Sequence, residues 1–257
     1  MNAPDSSLSS TAKGGRWQPF YEAYGVYAWT LFMVCIPFAL IGAVGMPTLR
    51  MRRSAARYVA RTYLWLAGMP LTVQGAEHLP SGQCVVVANH CSYLDGVVMT
   101  AVLPPQFAFV VKREMDNVPL AGLLLRRIGA EFVERFNRHK GASDARRVLR
   151  TATGGQSMMF FPEGTFANQP GVLKFHNGAF ATAARAGCPL VPIAIRGTRR
   201  LMPGSRMLPR PGRIDVIVLP PLANPVANGS AKEHAASELR EAARAQIVAA
   251  CGEPDAG

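Results

Sequence analysis

Two polar clusters in this sequence each follow a short hydrophobic run, at the point where a buried strand is expected to end. The first cluster, residues 89–95, follows the run 85–88 and contains a histidine and an aspartate. The second, residues 162–165, reads Pro-Glu-Gly-Thr and follows the run 158–161. Open α/β sheets bind ligands beyond the carboxyl ends of their strands. Both clusters are therefore candidate parts of a functional site.

His90 and Asp95 have the residue types of a general-base pair. On a continuous helix, at roughly 100° per residue, side chains five positions apart would point about 140° away from each other, so the chain must turn between them. In that geometry Asp95 accepts a hydrogen bond from the N–H of one ring nitrogen, and the other nitrogen takes a proton from a hydroxyl. A base placed in this way supplies about 10²–10⁴-fold of rate. The alternative is a core histidine and an unrelated surface aspartate.

Glu163, Gly164 and Thr165 form the second candidate group. Glycine lets the backbone approach a ligand closely, and the Glu163 carboxylate is able to hold a substrate hydroxyl or an adjacent cation. The alternative interpretation of Pro-Glu-Gly-Thr is a surface turn.

Short apolar runs alternate with helical patterns along the rest of the chain, which predicts an α/β sheet with covering helices. We predict strands at residues 85–88, 107–111, 132–133, 158–161, 190–195 and 214–219. We predict helices near residues 96–103, 119–128, 141–153, 177–187 and 231–250. Ser230 and Glu233 have the spacing of a capping box at the start of the last helix.

Residues 17–69 have the features of a membrane-associated helical segment. No charged residue lies between Glu22 and Arg50, and the mostly apolar stretch 24–46 is long enough to cross or enter a bilayer. The arginines that follow predict a location on the cytoplasmic face of the inner (plasma) membrane, with anionic membrane lipid as a partner. They are Arg50, Arg52, Arg53, Arg57 and Arg61. A helical pair embedded in one leaflet fits as well as a span, and a cleaved signal peptide and a buried hairpin are further alternatives.

The composition of the chain limits the classes of ligand that it is expected to bind. The formal net charge of +12 favours anionic ligands, but nucleic acid is not expected, because the densest basic cluster follows the apolar stretch and no nucleic-acid motif is present. The five cysteines contain no C-x-x-C pair, so neither a disulfide framework nor a metal site is predicted. Cys91 is interpreted as a small buried filler. Residues 1–16 are predicted to be a disordered tail.

Four blocks of the sequence, taken together, resemble the phospholipid and glycerol acyltransferase family, which includes 1-acyl-sn-glycerol-3-phosphate acyltransferases. The first block is Asn89-His90-x-x-x-x-Asp95 and the third is Phe161-Pro162-Glu163-Gly164-Thr165. The second runs from Lys112-Arg113-Glu114 through Pro119 and Gly122 to Gly129-x-x-Phe132-x-x-Arg135. The fourth is Val191-Pro192-Ile193-Ala194-Ile195, leading to Gly197-Thr198.

The resemblance implies a mixed, largely parallel sheet flanked by helices, with residues 70–257 as the acyltransferase domain. It implies that His90 activates an acceptor hydroxyl, that Asp95 orients it, and that the oxygen attacks the thioester of acyl-CoA or acyl carrier protein. No other cofactor is implied. The acceptor is a lysophospholipid, with lysophosphatidate expected to give phosphatidate. The residues that the resemblance assigns to the acceptor are Arg135, Glu163, Gly164, Thr165 and Lys112.

Two departures from the family pattern leave the acceptor open. Many members have an arginine where this chain has Phe166, and many have a lysine close to the position of His176. Another lysolipid, such as a lyso-ornithine lipid, is therefore a second candidate acceptor, and a non-catalytic basic membrane-binding protein is the alternative from another class. Further candidate contacts for phosphate or CoA, with a solvated surface charge as the alternative for each, are Lys112, Arg113, Arg196 and Arg199.

Overall fold

Hydrophobic strands alternate with helices along the chain, as the sequence pattern predicts. The computed structural model describes residues 17–134 and 138–257. Its helices are α1 (Gln18–Gly45), α2 (Leu49–Leu66), α3 (Leu94–Val102), α4 (Ala121–Arg127), α5 (Arg138–Thr153), α6 (Gly178–Ala186), α7 (Thr198–Leu201) and α8 (Lys232–Cys251). Its strands are β1 (Leu71–Gln74), β2 (Val85–Ala88), β3 (Phe107–Lys112), β4 (Glu131–Val133), β5 (Ser157–Phe160), β6 (Leu190–Arg196) and β7 (Ile214–Val218).

The strands form one sheet in the order β1-β7-β6-β2-β5-β3-β4. Neighbouring strands are parallel except β6 and β7, which run antiparallel. The predicted mixed, largely parallel sheet is thus confirmed. Val87 of β2 lies opposite Phe160 of β5, so the loops that leave these two central strands begin side by side.

Strand β2 is buried on both faces, which explains its run of β-branched residues. Val85 and Val87 belong to one apolar cluster with residues of α6 and α8. Val86 and Ala88 belong to another, with residues of α2 and α3. Because helices cover both faces of β2, packing holds the end of the strand, and with it the start of the loop after Ala88, in place.

Helices α1 and α2 form an antiparallel hairpin against the α/β domain. Near one end of the pair the Tyr24 hydroxyl donates to the Ala67 carbonyl oxygen at 2.6 Å. Near the other, Gly42 packs so closely on Ala55 that an added Cβ would lie 2.6 Å from the Ala55 Cβ. Within the described residues, α1 is the one helix that is long and apolar enough to cross a membrane, with a mean hydropathy of 2.0 over its most apolar stretch. That stretch is 28% buried, so much of its apolar surface is exposed.

Three local details differ from the sequence prediction. Strand β1 is too short and too exposed to give a clear pattern, and it pairs with β7 at the edge of the sheet. Helix α7 is a single turn. The capping box predicted at Ser230 is wrong, because Ala231 is the N-cap of α8 and makes no side-chain cap. The Ser230 N–H instead donates to the Pro225 carbonyl oxygen, which places Ser230 in the preceding turn.

Candidate functional site

The loops that leave β2 and β5 bring the two predicted polar clusters to the same edge of the sheet. His90 follows the end of β2, and Glu163 follows the end of β5. The two loops are joined directly, because the backbone N–H of His90 donates to Glu163 Oε1 at 2.7 Å. The structure therefore places both clusters at one site, as the positions of the two strands lead one to expect.

His90 and Asp95 make the expected pair. Nδ1 of His90 lies 2.9 Å from Oδ2 of Asp95, and the same oxygen accepts the backbone N–H groups of Cys91 at 2.7 Å and Ser92 at 2.8 Å. The chain turns before α3, so Asp95 in the first turn of that helix faces back toward His90. The Asp95 side chain is completely buried, while that of His90 is 19% exposed. With Nδ1 engaged, Nε2 is the nitrogen left for proton transfer.

Asn89 fixes the start of the histidine loop. Its Oδ1 accepts the N–H of Ile195 at 2.7 Å, and its Nδ2 donates to the carbonyl oxygen of the same residue at 3.0 Å. The side chain thereby extends the pairing of β2 with β6 beyond Ala88. Sequence reasoning gave Asn89 no role beyond its place in the first family block. The signal available in the sequence was an amide directly after a fully apolar strand.

Glu163 is buried, and both of its oxygens accept backbone hydrogen bonds. Oε1 binds the His90 N–H, and Oε2 accepts the N–H of Leu173 at 2.8 Å. Burial raises the pKa of this carboxyl to about 7, against the opposing effect of these two N–H donors. The geometry therefore supports a positioning role for Glu163. Its predicted contact with a substrate hydroxyl stays a prediction.

Aromatic rings enclose the His90 imidazole on two sides. Phe161 stacks on it with ring centroids 4.3 Å apart, and Phe166 meets it edge to face at 4.7 Å. Tyr93 in turn packs edge to face on Phe166 at 4.8 Å. This apolar collar was not predicted, because it joins residues from two loops that are distant in sequence.

A cavity of about 540 Å³ adjoins the second cluster. Its walls are formed by Val110, Lys112, Val133, Ala145, Val148, Phe160, Phe161, Pro162, Glu163, Gly164, Thr165, His176, Gly178, Ala179 and Thr182. Lys112 makes an ion pair with Glu114 at 3.1 Å. Gly164 has a φ of 74°, in the left-handed region that favours glycine. The structure thus places four of the five predicted substrate-binding residues around one cavity, while Arg135 lies outside the described residues.

An acyltransferase family model matches residues 70–196, a span that contains both polar clusters. Over 218 residues the chain is 32% identical to 1-acyl-sn-glycerol-3-phosphate acyltransferase alpha of Mus musculus, and the match covers 84% of this chain and 74% of the relative. It is 31% identical over 242 residues to a 1-acyl-sn-glycerol-3-phosphate acyltransferase of Chlamydomonas reinhardtii, covering 89% and 69% respectively. This chain belongs to the acyltransferase family.

The chain spans less than two thirds of the length of some other relatives. The chain is 31% identical over 228 residues to the chloroplastic 1-acyl-sn-glycerol-3-phosphate acyltransferase BAT2 of Brassica napus, of which it spans 63%. Among solved structures, the 1-acyl-sn-glycerophosphate acyltransferase PlsC from Thermotoga maritima superimposes with a TM-score of 0.71 at 21% identity. The superposition covers 89% of this chain and 96% of the other, so the two share a fold.

Two other arginines considered as contacts for phosphate or CoA form ion pairs with acidic side chains. Arg113 pairs with Asp144 at 2.6 Å. Arg199 pairs with Glu253 at 2.9 Å and also donates to three carbonyl oxygens of the 166–171 turn. The Arg199 side chain is 12% exposed, so the interpretation as a solvated surface charge is wrong for this residue. Its contacts hold in place the turn that carries Phe166.

Cys91 lies next to His90 in sequence, but its surroundings do not favour a reactive thiolate. Its thiol is buried 3.2 Å from the Thr198 hydroxyl oxygen, and burial raises its pKa well above the usual range. A thiol that keeps its proton is a poor nucleophile. In the part of the chain that the structure describes, no group of three or more His, Cys, Asp or Glu residues is placed to hold a metal ion.

Proposed function

We propose that this acyltransferase moves a fatty acyl chain from an acyl thioester, carried by CoA or acyl carrier protein, to the sn-2 hydroxyl of lysophosphatidate, giving phosphatidate. The observation that carries the proposal is the His90–Asp95 pair at 2.9 Å, on the sheet edge where ligands bind. The names of the relatives support lysophosphatidate as the acceptor.

In the proposed reaction Nε2 of His90 takes the proton of the acceptor hydroxyl as its oxygen attacks the thioester carbonyl carbon. The buried Asp95 carboxylate stabilises the imidazolium that forms. The tetrahedral intermediate then collapses, the carbon–sulfur bond breaks, and the imidazolium returns its proton to the leaving thiolate. The ester and the free thiol account for all atoms, so neither an acyl-enzyme nor a further cofactor is required.

The cavity beside Glu163 supplies groups suited to the acceptor's phosphate. Thr165 and His176 line it with a hydroxyl and an imidazole, and Lys112 brings a positive charge to the same wall. A phosphate accepts hydrogen bonds from all three side-chain types. We propose that this wall binds the glycerol-phosphate end of the acceptor, with Arg135 as a further contact.

A different lysolipid is the second candidate acceptor, favoured by one observation. Phe166 packs directly on His90, and the nearby Arg199 is engaged by Glu253 and by main-chain carbonyls. An apolar collar beside the base suits an acceptor whose charge lies farther from its hydroxyl, such as a lyso-ornithine lipid.

The α1–α2 hairpin supports membrane association. Apolar side chains that are about half exposed or more lie along both helices, among them Trp17, Phe20, Phe38, Ile41, Tyr58 and Trp65. Because α2 packs on the α/β domain and α1 is bonded to the end of α2 through Tyr24, both helices lie alongside the domain. We propose that the hairpin is embedded in one leaflet on the cytoplasmic face of the inner membrane, with its exposed arginines Arg50 and Arg61 on anionic lipid. Arg53 is buried and does not take part in this contact.

The test is release of free thiol by the detergent-solubilised full chain, with acyl-CoA and acyl-acyl carrier protein as donors. Lysophosphatidate, lyso-ornithine lipid, other lysolipids and no acceptor form the panel. We expect turnover with lysophosphatidate that His90→Ala abolishes and His234→Ala leaves intact, since His234 is exposed on α8. Preference for another lysolipid would select the second candidate. Turnover no higher than that of His90→Ala with every donor and acceptor would reject catalysis in favour of a binding role.

A further inference from the structure

A second cavity, of about 530 Å³, opens at the edge of the sheet opposite to His90. The loops that precede β2, β3 and β5 form its walls, together with the first turns of α2. Two arginines, three glutamines and three glycines line it, and none of its lining residues is acidic. The cavity is therefore positively charged, and it is separate from the site of the proposed reaction.

Arg53 is the charged group at the floor of this cavity. Its residue is 8% exposed, and its guanidinium makes no ion pair within the described residues. Nε donates to the Ile128 carbonyl oxygen at 2.8 Å, while the amino groups reach three neutral oxygens at 3.4 Å each. Guanidinium groups bind carboxylate or phosphate at about 2.7–2.9 Å. The two amino groups thus have weak neutral partners where an anion would bind more tightly.

Burial lowers the pKa of Arg53 to about 10, so the side chain still carries its charge at neutral pH. A buried charge without an opposite charge is costly, and a bound anion removes that cost. The existing contacts with neutral oxygens hold the guanidinium in one orientation.

The start of α2 adds to the positive potential. The backbone N–H groups of a first helical turn form the positive end of the helix dipole, where acidic side chains are normally favoured. Here the first turn contains no acidic residue, while Arg50 and Arg53 both line the cavity. Their charges oppose the dipole, and an anion in the cavity would be attracted by both arginines and by the helix end.

We propose that this cavity binds a phosphate group, either on a lipid headgroup or as free phosphate. Arg53 would hold the anion from the floor and Arg50 from the rim, with polar side chains and glycine backbone around it. The bend between α1 and α2 borders the cavity, and Met46 and Met51 beside it expose apolar surface. That position brings lipid headgroups within reach and favours a lipid source. The site goes beyond the proposed transfer reaction and does not depend on it.

Gly82 offers a variant that tests the site without removing an arginine. It lines the cavity, and a Cβ built there would meet no atom within 4 Å. Gly82→Glu should therefore place a carboxylate opposite Arg50 and Arg53. Gly82→Gln has nearly the same shape without the charge and is the matched control.

The first measurement is the thermal unfolding midpoint of the full chain in inorganic phosphate against chloride at equal ionic strength. We expect phosphate to raise Tm by at least about 2 °C in the wild type, as ligand binding to the folded state requires. Arg50→Gln and Gly82→Glu should lose most of this rise, whereas Arg52→Gln and Gly82→Gln should keep it. Any share of the rise that His176→Ala removes belongs to phosphate bound in the cavity beside Glu163.

The second measurement is flotation with vesicles of phosphatidylcholine, with and without phosphatidylglycerol. Arg50→Gln should lower the bound fraction at least about threefold more than Arg52→Gln, which removes the same charge outside the cavity lining and so controls for surface attraction. If Arg50→Gln lowers only vesicle binding, the ligand is a lipid headgroup. If it lowers only the phosphate-dependent rise in Tm, the ligand is free phosphate. If Arg50→Gln matches Arg52→Gln in both measurements, the site does not exist, whatever the chain's transferase activity.

Discussion

The backbone N–H of His90 donates to the buried carboxylate of Glu163 at 2.7 Å, so the loop after β2 is held by the loop after β5. The other oxygen of Glu163 accepts the N–H of Leu173 at 2.8 Å. One carboxylate therefore joins three separate segments of the chain. The position of the imidazole depends on this contact as well as on Asp95.

Replacing Glu163 by glutamine should loosen this junction. Glutamine keeps one acceptor oxygen, so the N–H of either His90 or Leu173 loses its partner, at a cost of about 1–3 kcal/mol. A displaced imidazole should also lower kcat by about 10–100-fold. Urea unfolding and thiol-release kinetics measure the two effects. Glu241→Gln, on the exposed face of α8, is the control and should change neither quantity.

The raised pKa of Glu163 predicts a pH dependence of stability. Burial raises this pKa from 4.5 to about 7, so the folded protein binds the proton more tightly than the unfolded chain. The resulting stabilisation is fully present below pH 4.5, the pKa of this carboxyl in the unfolded chain. It is lost as the pH rises through about 7, its pKa in the folded protein. The unfolding free energy of the wild type relative to Glu163→Gln should therefore fall as the pH rises from 4.5 to about 7. A constant difference in unfolding free energy across that range would contradict the raised pKa.

Asp95→Asn should largely preserve the conformation of the loop that carries His90 but strongly lower the catalytic rate. Oδ2 of Asp95 accepts three hydrogen bonds, whereas Oδ1 is buried with no partner among the described residues. Asparagine is able to keep an oxygen at the Oδ2 position, but it cannot stabilise the imidazolium with a negative charge. We expect kcat to fall by about 10²–10⁴-fold. Asp215→Asn, in an exposed ion pair, is the matched control, and an equal loss there would indicate a general effect on folding.

Most of the strands and the His90–Asp95 pair could be predicted, because each is indicated by residues close together in sequence. The apolar run Val85–Ala88 ends at the polar Asn89, and the strand ends at the same place in the structure. The pairing of His90 with Asp95 follows from chemistry and a short spacing. Strand β1 could not be predicted, because four partly exposed residues at a sheet edge lack both periodicity and a buried run.

The supporting contacts could not be predicted, because their partners are distant main-chain groups. Asn89 binds both backbone groups of Ile195, which is 106 residues away in sequence. Glu163 binds the N–H groups of His90 and Leu173. No residue type in a sequence indicates that a backbone N–H needs an acceptor, so these roles become visible only once the sheet order is known.

Arg199 should stabilise the turn that carries Phe166. It joins Glu253 near the carboxyl terminus to three carbonyl oxygens of the 166–171 turn. Arg199→Ala removes the cationic partner of Glu253, which among the described residues keeps only the Gly171 N–H donor. We expect a loss of about 2–4 kcal/mol, below the cost for a fully buried pair because some water reaches this one. Arg213→Ala breaks the exposed pair with Asp215 and should cost about 0–1 kcal/mol. Urea unfolding compares the two variants, and equal costs would show that the Arg199 contacts contribute no more than a surface pair.

Phe166 should keep water away from the His90 imidazole. It packs edge to face on that ring at 4.7 Å, and Tyr93 packs edge to face on Phe166 at 4.8 Å. In the proposed reaction a water molecule that reaches Nε2 would attack the thioester in place of the acceptor and release a fatty acid. Phe166→Ala should therefore raise the ratio of hydrolysis to transfer by about 5–10-fold, equivalent to about 1–1.4 kcal/mol of barrier difference.

The measurement is thiol release with and without lysophosphatidate, with fatty acid and phosphatidate quantified separately. Phe166→Leu retains an apolar side chain of similar bulk and should keep the ratio close to that of the wild type. If Phe166→Ala lowers hydrolysis and transfer by the same factor, the ring acts only by holding His90 in place. A ratio raised in Phe166→Ala but not in Phe166→Leu would show that the apolar collar favours attack by the acceptor hydroxyl over attack by water. Loss of packing by itself would slow both reactions equally.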